Sequence, residues 1–178
     1  MTCIVGVEID GKVVITGDIQ GSGHNTKIVH TQPKVFTNSG MAFGYTTSYR
    51  FGQIIEHSID KGFLPSSDDQ VYPWLVKEFV PHCKKVLREG DYDAGGTCLI
   101  GIRGQLWRLE DDFAVLRSVI GFDAVGSGQE FALGALSTYM KMQMVSSVDD
   151  VVRLSSKVIE SVSEHCPSVG RDSTSIVV

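Results

Sequence analysis

The sequence has no apolar run of the roughly 18–20 residues that a membrane-spanning helix needs, so no membrane span is expected. Its start has neither a basic segment nor a long apolar stretch, so no signal peptide is expected. Cysteine is scarce. Cys3, Cys83, Cys98 and Cys166 fall at no metal-binding spacing, form no C-x-x-C pair and outline no short disulfide framework. Reduced thiols in a cytoplasmic protein are the plain expectation. The histidines, His24, His30, His57, His82 and His165, have neither ligand spacing nor the spacing of a Ser-His-Asp triad. No metal and no cofactor are called for. Positive charge is in the minority, with 16 Lys and Arg against 21 Asp and Glu and a net charge of -5. That balance argues against nucleic-acid binding through a basic surface. Linkers, repeats and low-complexity tracts are also missing, so a single domain over residues 1–178 is expected. Hydrophobic residues make up 42% of the chain, enough for a sizeable core.

The chain opens with two runs rich in β-branched residues, 2–9 and 12–17, joined at Asp10-Gly11, a strong hairpin signal. Residues 19–32 are rich in Gly, Ser, Asn and Thr and read as a loop or irregular ribbon. Strands follow at 34–37 and 41–45. Thr47 or Ser48 caps a helix over 49–61 that Gly62 ends. A longer helix over 71–89 takes Pro73 in its first turn and is expected to kink at Pro81. A second hairpin, 97–102 with 105–109, turns at Arg103-Gly104. Short strands at 114–119 and 122–125 precede helices over 129–142 and from Ser147 onward. Pro167 to Gly170 break the pattern before a last strand at 173–178. Hairpins with segregated helices predict an α+β protein of antiparallel sheets packed face to face, helices outside.

Four stretches, "TCIVGVEIDGKVVITGD", "PKVF", "FGYTTS" and "GSGQEFALGAL", resemble the proteasome β-subunit family, above all the bacterial heat-shock type that pairs with an AAA+ unfoldase. The resemblance runs along nearly the whole chain and is most specific over residues 1–36. It implies the N-terminal nucleophile (Ntn) hydrolase fold, a four-layer αββα sandwich. It also implies a threonine-type endopeptidase in which removal of Met1 exposes Thr2.

The chemistry of such a start is coherent. A threonine hydroxyl is a poor nucleophile until a base takes its proton. A free N-terminal threonine carries that base itself, an α-amine with an ordinary pKa of roughly 7.7–8.0. By the resemblance, Lys34 lowers the pKa of hydroxyl and amine, and Asp18 holds Lys34 charged and oriented. Ser127, in Gly126-Ser127-Gly128, positions the amine and its water, and Asp172 with Ser175 binds the amine. The backbone N–H of Thr46 or Thr47 stabilises the oxyanion. Ser22 lies where the substrate pairs as an added strand. Gln32 and Phe36 line a side-chain pocket, though Phe36 reads equally as core. Lys27 competes with Lys34 but lacks the Pro-Lys-Val-Phe setting, and Cys3 as nucleophile would require loss of Thr2 as well. The implied partners are peptide or unfolded-protein substrates, identical chains in a homo-oligomeric ring, and an AAA+ ATPase unfoldase, with no nucleic acid and no membrane. The alternatives are a catalytically inactive Ntn-fold assembly or binding protein that keeps Met1, and a non-proteolytic Ntn amidase.

Overall fold

Asp10 and Gly11 both take left-handed backbone angles, φ 49° and 69°, and so turn β1 (Cys3–Ile9) back onto β2 (Lys12–Asp18). The structure is a computed structural model that describes residues 2–22, 26–59, 64–143 and 145–178. A second turn of the same kind, Arg103 at 49° and Gly104 at 71°, joins β7 (Cys98–Ile102) to β8 (Gln105–Leu109). The expected loop at 19–32 contains a small antiparallel ribbon, β3 (Gln20–Ser22) with β4 (Lys27–Val29). Next come β5 (Val35–Asn38), β6 (Met41–Tyr45) and helix α1 (Tyr49–Ser58). Ser48 is the cap of α1, its hydroxyl accepting the N–H groups of Arg50 (3.1 Å) and Phe51 (3.4 Å). The expected end of this helix at Lys61 and Gly62 lies outside the described residues.

The long helix expected over 71–89 is continuous but not uniform. It runs as α2 (Val71–Trp74), a wider π turn over Leu75–Phe79, then α3 (Val80–Glu89). Pro81 has no N–H to give and its ring crowds the carbonyl of Lys77, one turn back. The widened turn absorbs both defects. Of the strand expected at 114–119, only β9 (Val115–Leu116) forms. β10 (Phe122–Gly126), α4 (Gln129–Lys141), α5 (Val148–His165) and β11 (Ser173–Val177) complete the chain.

The strands form a four-stranded antiparallel sheet, β10-β1-β2-β11, and a five-stranded antiparallel sheet, β5-β6-β7-β8-β9. Side-chain alternation sorts the layers. Ile4, Val13 and Ile15 meet Val35, Ala42, Leu99 and Leu106 between the sheets. Cys3, Val5, Val7 and Val14 face outward onto Val151, Leu154, Val158, Ile159 and Val162 of α5. On the other side, Phe43, Ile100 and Ile102 pack beneath Phe51, Ile54, Leu75, Phe79 and Leu87. Burying each such side chain contributes about 1.5–3 kcal/mol. The result is α+β, two sheets sandwiched between two helical layers, as the resemblance implies.

Candidate active site

Hairpin register builds the site. Ile4 lies opposite Gly17, so the start of β1 sits beside Asp18 at the end of β2. Lys34 immediately precedes β5, and its carbonyl accepts the N–H of Tyr45 at 3.0 Å, which ties it to the next strand. Thr2, Asp18 and Lys34 are 3%, 0% and 5% exposed.

The Thr2 hydroxyl donates to one carboxylate oxygen of Asp18 and accepts from Lys34 Nζ. The same Asp18 oxygen accepts the N–H of Cys3 at 2.9 Å. The other accepts Lys34 Nζ (2.9 Å) and the N–H groups of Gln20 (3.2 Å) and Gly170 (3.0 Å). Lys34 Nζ donates its third proton to the carbonyl of Gln20. Burial pulls the Lys34 pKa below the ordinary lysine value, and Asp18 opposes that pull. Burial, assisted by Asp18 and Cys166, pushes the Cys3 thiol up to about 12. A thiol that stays protonated at neutral pH is no nucleophile. Lys27, the competing lysine, lies exposed on β4 opposite Ser22.

The Thr2 carbonyl accepts Ser127 Oγ at 3.3 Å and the Gly128 N–H at 3.4 Å. Gly126 makes this approach possible: its φ is 99°, and a Cβ there would come 2.3 Å from the Thr2 carbonyl oxygen. Ser127 Oγ lies 2.9 Å from Ser168 Oγ. Ser175 is placed elsewhere, on β11 opposite Thr16, with the two hydroxyls 2.8 Å apart. Asp172 is exposed and its carbonyl accepts the Ile19 N–H at 3.2 Å. Ser168, which the sequence reading did not single out, is the residue whose hydroxyl meets Ser127. The turn between α5 and β11 brings Ser168 to Ser127 and the Gly170 N–H to Asp18, both of which contact Thr2. Neither residue carries a local sequence signal beyond the Pro-Ser-Val-Gly break.

The Gly44-Tyr45-Thr46-Thr47 segment divides the expected oxyanion donors. The Thr46 N–H is engaged by the Thr97 carbonyl (2.9 Å) and the Ser48 N–H by the Thr46 carbonyl (2.9 Å). The Thr47 N–H has no hydrogen-bond partner among the described residues. Thr47 also holds φ at 76°, a costly angle for a β-branched residue. It lines a cavity of about 180 Å³ with Thr2, Lys34, Tyr45, Thr46 and Tyr49. Gln32 lies instead at a separate cavity of about 540 Å³ that also touches Tyr45. Phe36 is core, stacked on Phe43 at 5.0 Å between ring centres. Ser22 is on the ribbon in register with Lys27, and its neighbour Gly21 lines the smaller cavity. Among the described residues, no cluster of His, Cys, Asp and Glu is placed to hold a metal. Among them also, no helix is long and apolar enough to cross a membrane.

Fold and layer order are those of the Ntn hydrolases, in the form taken by HslV and proteasome-like peptidases. The Thiobacillus denitrificans BPH protein, solved in complex with epoxomicin, superposes with a TM-score of 0.79 at 20% identity over 99% of this chain and 97% of that one. HslV from Trypanosoma brucei gives a TM-score of 0.74 at 16% identity over 98% of each chain. A Gly-1 mutant of Anbu from Hyphomicrobium sp. strain MC1 gives 0.71 at 13% identity, covering 100% of this chain and 81% of that one. Sequence comparison matches no family model and no curated protein.

Proposed function

We propose that the protein is a threonine-type endopeptidase of the proteasome-like kind, with Thr2 as nucleophile once Met1 is removed. Met1 lies outside the described residues. The observation that carries the reading is the Thr2 hydroxyl held between the Lys34 ammonium and the Asp18 carboxylate, both buried. Buried charges converging on a hydroxyl beside a cavity are characteristic of sites that activate a nucleophile.

With the amine free, the steps balance. The amine takes the hydroxyl proton as Oγ1 bonds to the scissile carbonyl carbon, while Lys34 stabilises the developing alkoxide. The Thr47 N–H receives the oxyanion. The ammonium then returns the proton to the leaving nitrogen as the C–N bond breaks, leaving an ester on Thr2. Water, deprotonated by the same amine, attacks the ester carbonyl, and the ammonium returns that proton to Thr2 Oγ1 as the acyl C–O bond breaks. Ser127 and Ser168 keep the Thr2 backbone in register with this cycle.

The reading extends to peptide or unfolded-protein substrates, a ring of identical chains, an AAA+ ATPase that feeds it, and a cytoplasmic setting. Intact mass of the natural protein is expected to lack the initiator methionine. Turnover of a chromogenic peptide is expected to vanish in Thr2→Ala and Lys34→Ala and to persist in Lys27→Ala. Cleavage that survives Thr2→Ala overturns the assignment.

A further inference from the structure

The third proton of Lys34 goes to a backbone carbonyl, that of Gln20. The oxygen belongs to the peptide unit that joins Gln20 to Gly21. Gln20 itself is anchored: it is buried, and Asp18 accepts its N–H at 3.2 Å. At its other end the unit meets a residue with no Cβ, whose backbone turns more freely than any other. Rotation of this one unit would carry the oxygen off the ammonium and leave a buried, charged donor unpaired. The placement of the Lys34 charge therefore depends on what holds Gly21.

Strand pairing alone holds it weakly. Gly21 pairs with Ile28 and Gln20 with Val29, but all residues from 26 to 33 are exposed, so β4 brings no buried apolar side chain to fasten the ribbon. A two-stranded ribbon without such a face is marginal in water. His30, the residue after β4, supplies a contact of another kind. Its ring lies so close on the Gly21 backbone that a Cβ there would come 2.4 Å from Nε2 and 2.6 Å from Cδ2. The same ring packs edge-on against Tyr49, with centres 5.1 Å apart and planes at 69°, an arrangement that aromatic pairs favour. Tyr49 is the first residue of α1, and the same Gly21 Cβ would come 3.0 Å from its hydroxyl. Gly21 is thus closed in between an imidazole and a phenol.

We propose that His30 is a positioning residue for the Thr2 centre: its ring pins Gly21 against Tyr49 and so keeps the Gln20 carbonyl turned onto the Lys34 ammonium. The proposal rests on the reading of Thr2 as nucleophile. The imidazole acts by packing and moves no proton in the cycle. Lys34 is faced by Thr2, with its amine once Met1 is gone, by the Cys3 thiol at the head of β1, by Asp18 at the end of β2, and by Tyr45 and Tyr49 across the cavity. Burial pushes the Cys3 thiol and both phenols up, so these three stay neutral. Without the Gln20 carbonyl, the charged form of Lys34 loses an acceptor and releases its proton at lower pH.

The test is the pH profile of kcat/KM on one chromogenic peptide. Wild type is expected to give a bell whose acid limb reports the Thr2 amine and whose alkaline limb reports Lys34. His30→Ala is expected to move the alkaline limb down by about half a pH unit or more and to lower the maximum about two- to ten-fold. His30→Phe keeps a ring without a titratable nitrogen and is expected to restore both. Thr31→Ala, the next position on the same exposed segment, is expected to match wild type. A reduced active fraction scales the whole profile but does not move a limb, so partial misfolding does not blur the result. An alkaline limb that stays in place in His30→Ala, or that moves equally in His30→Phe or Thr31→Ala, overturns the proposal and leaves the nucleophile reading standing. Cleavage that persists in Thr2→Ala, or no cleavage by wild type, overturns the nucleophile reading and this inference with it.

Discussion

Replacing Asp18 by asparagine removes one charge and leaves the shape almost unchanged, which makes it the sharpest probe of the buried centre. The carboxylate now accepts on both oxygens: Thr2 and Cys3 on one, Lys34, Gln20 and Gly170 on the other. An amide has a single oxygen. Whichever side it serves, its NH₂ faces donors on the other, and the Lys34 ammonium loses its counter-charge inside the protein. Removing one partner of a buried ion pair typically costs about 3–5 kcal/mol. For a chain of this length that amounts to a fall in Tm of roughly 6–20 °C, taking 2–4 °C per kcal/mol. The assay is urea unfolding of wild type, Asp18→Asn, Lys34→Met and the double variant. The two single losses should not add, because Lys34→Met takes away the charge that Asp18→Asn strands. A coupling energy of about 1–3 kcal/mol is expected. Additive losses, with coupling below about 0.5 kcal/mol, would refute the claim that these groups act as a pair.

Two further outcomes follow from the same geometry. Because the folded state lowers the Lys34 pKa below its ordinary 10.5, the unfolded chain holds the proton more tightly. Wild type should therefore gain stability relative to Lys34→Met as pH rises from the folded pKa towards 10.5, and should lose that gain as pH falls; a flat difference contradicts the burial of the ammonium. Thr47→Gly removes a left-handed β-branched residue that costs about 1–3 kcal/mol, against about 0.5–1 kcal/mol for added chain entropy. A small rise in Tm with peptide turnover retained is expected, since the backbone N–H survives; loss of turnover at unchanged stability would show that the Thr47 side chain itself takes part.

The sequence made some features legible and hid others for reasons of range. Asp10-Gly11 and Arg103-Gly104 were readable because a two-residue turn with left-handed angles is a local demand that few residue pairs meet. Thr2, Asp18 and Lys34 were legible through the family resemblance, and the β1–β2 hairpin with the segment leading into β5 brings them together. Ser168 was not legible, because its contact with Ser127 depends on how the α5–β11 turn lands on β10. The Asp-x-x-Ser pattern pointed to Ser175, whose partner is Thr16. That the Thr46 N–H is taken by the Thr97 carbonyl was equally hidden, since Thr97 is distant in sequence. Pro81 announced a kink, whereas the helix stays continuous and answers the proline with a widened turn over Leu75–Phe79. Tyr49 read only as the first residue of a helix, and its place beside Thr2 emerges once β6 and α1 join.

The Gly170 amide on Asp18 has a consequence for biosynthesis. Thr2, Asp18 and Lys34 leave the ribosome well before Ser127 and Gly170. Until the α5–β11 turn docks, the acidic centre lacks one of its donors and the Thr2 backbone lacks its anchor. A nascent chain thus cannot complete the hydrogen bonds around Asp18 and the Thr2 carbonyl until the α5–β11 turn has been made and has docked.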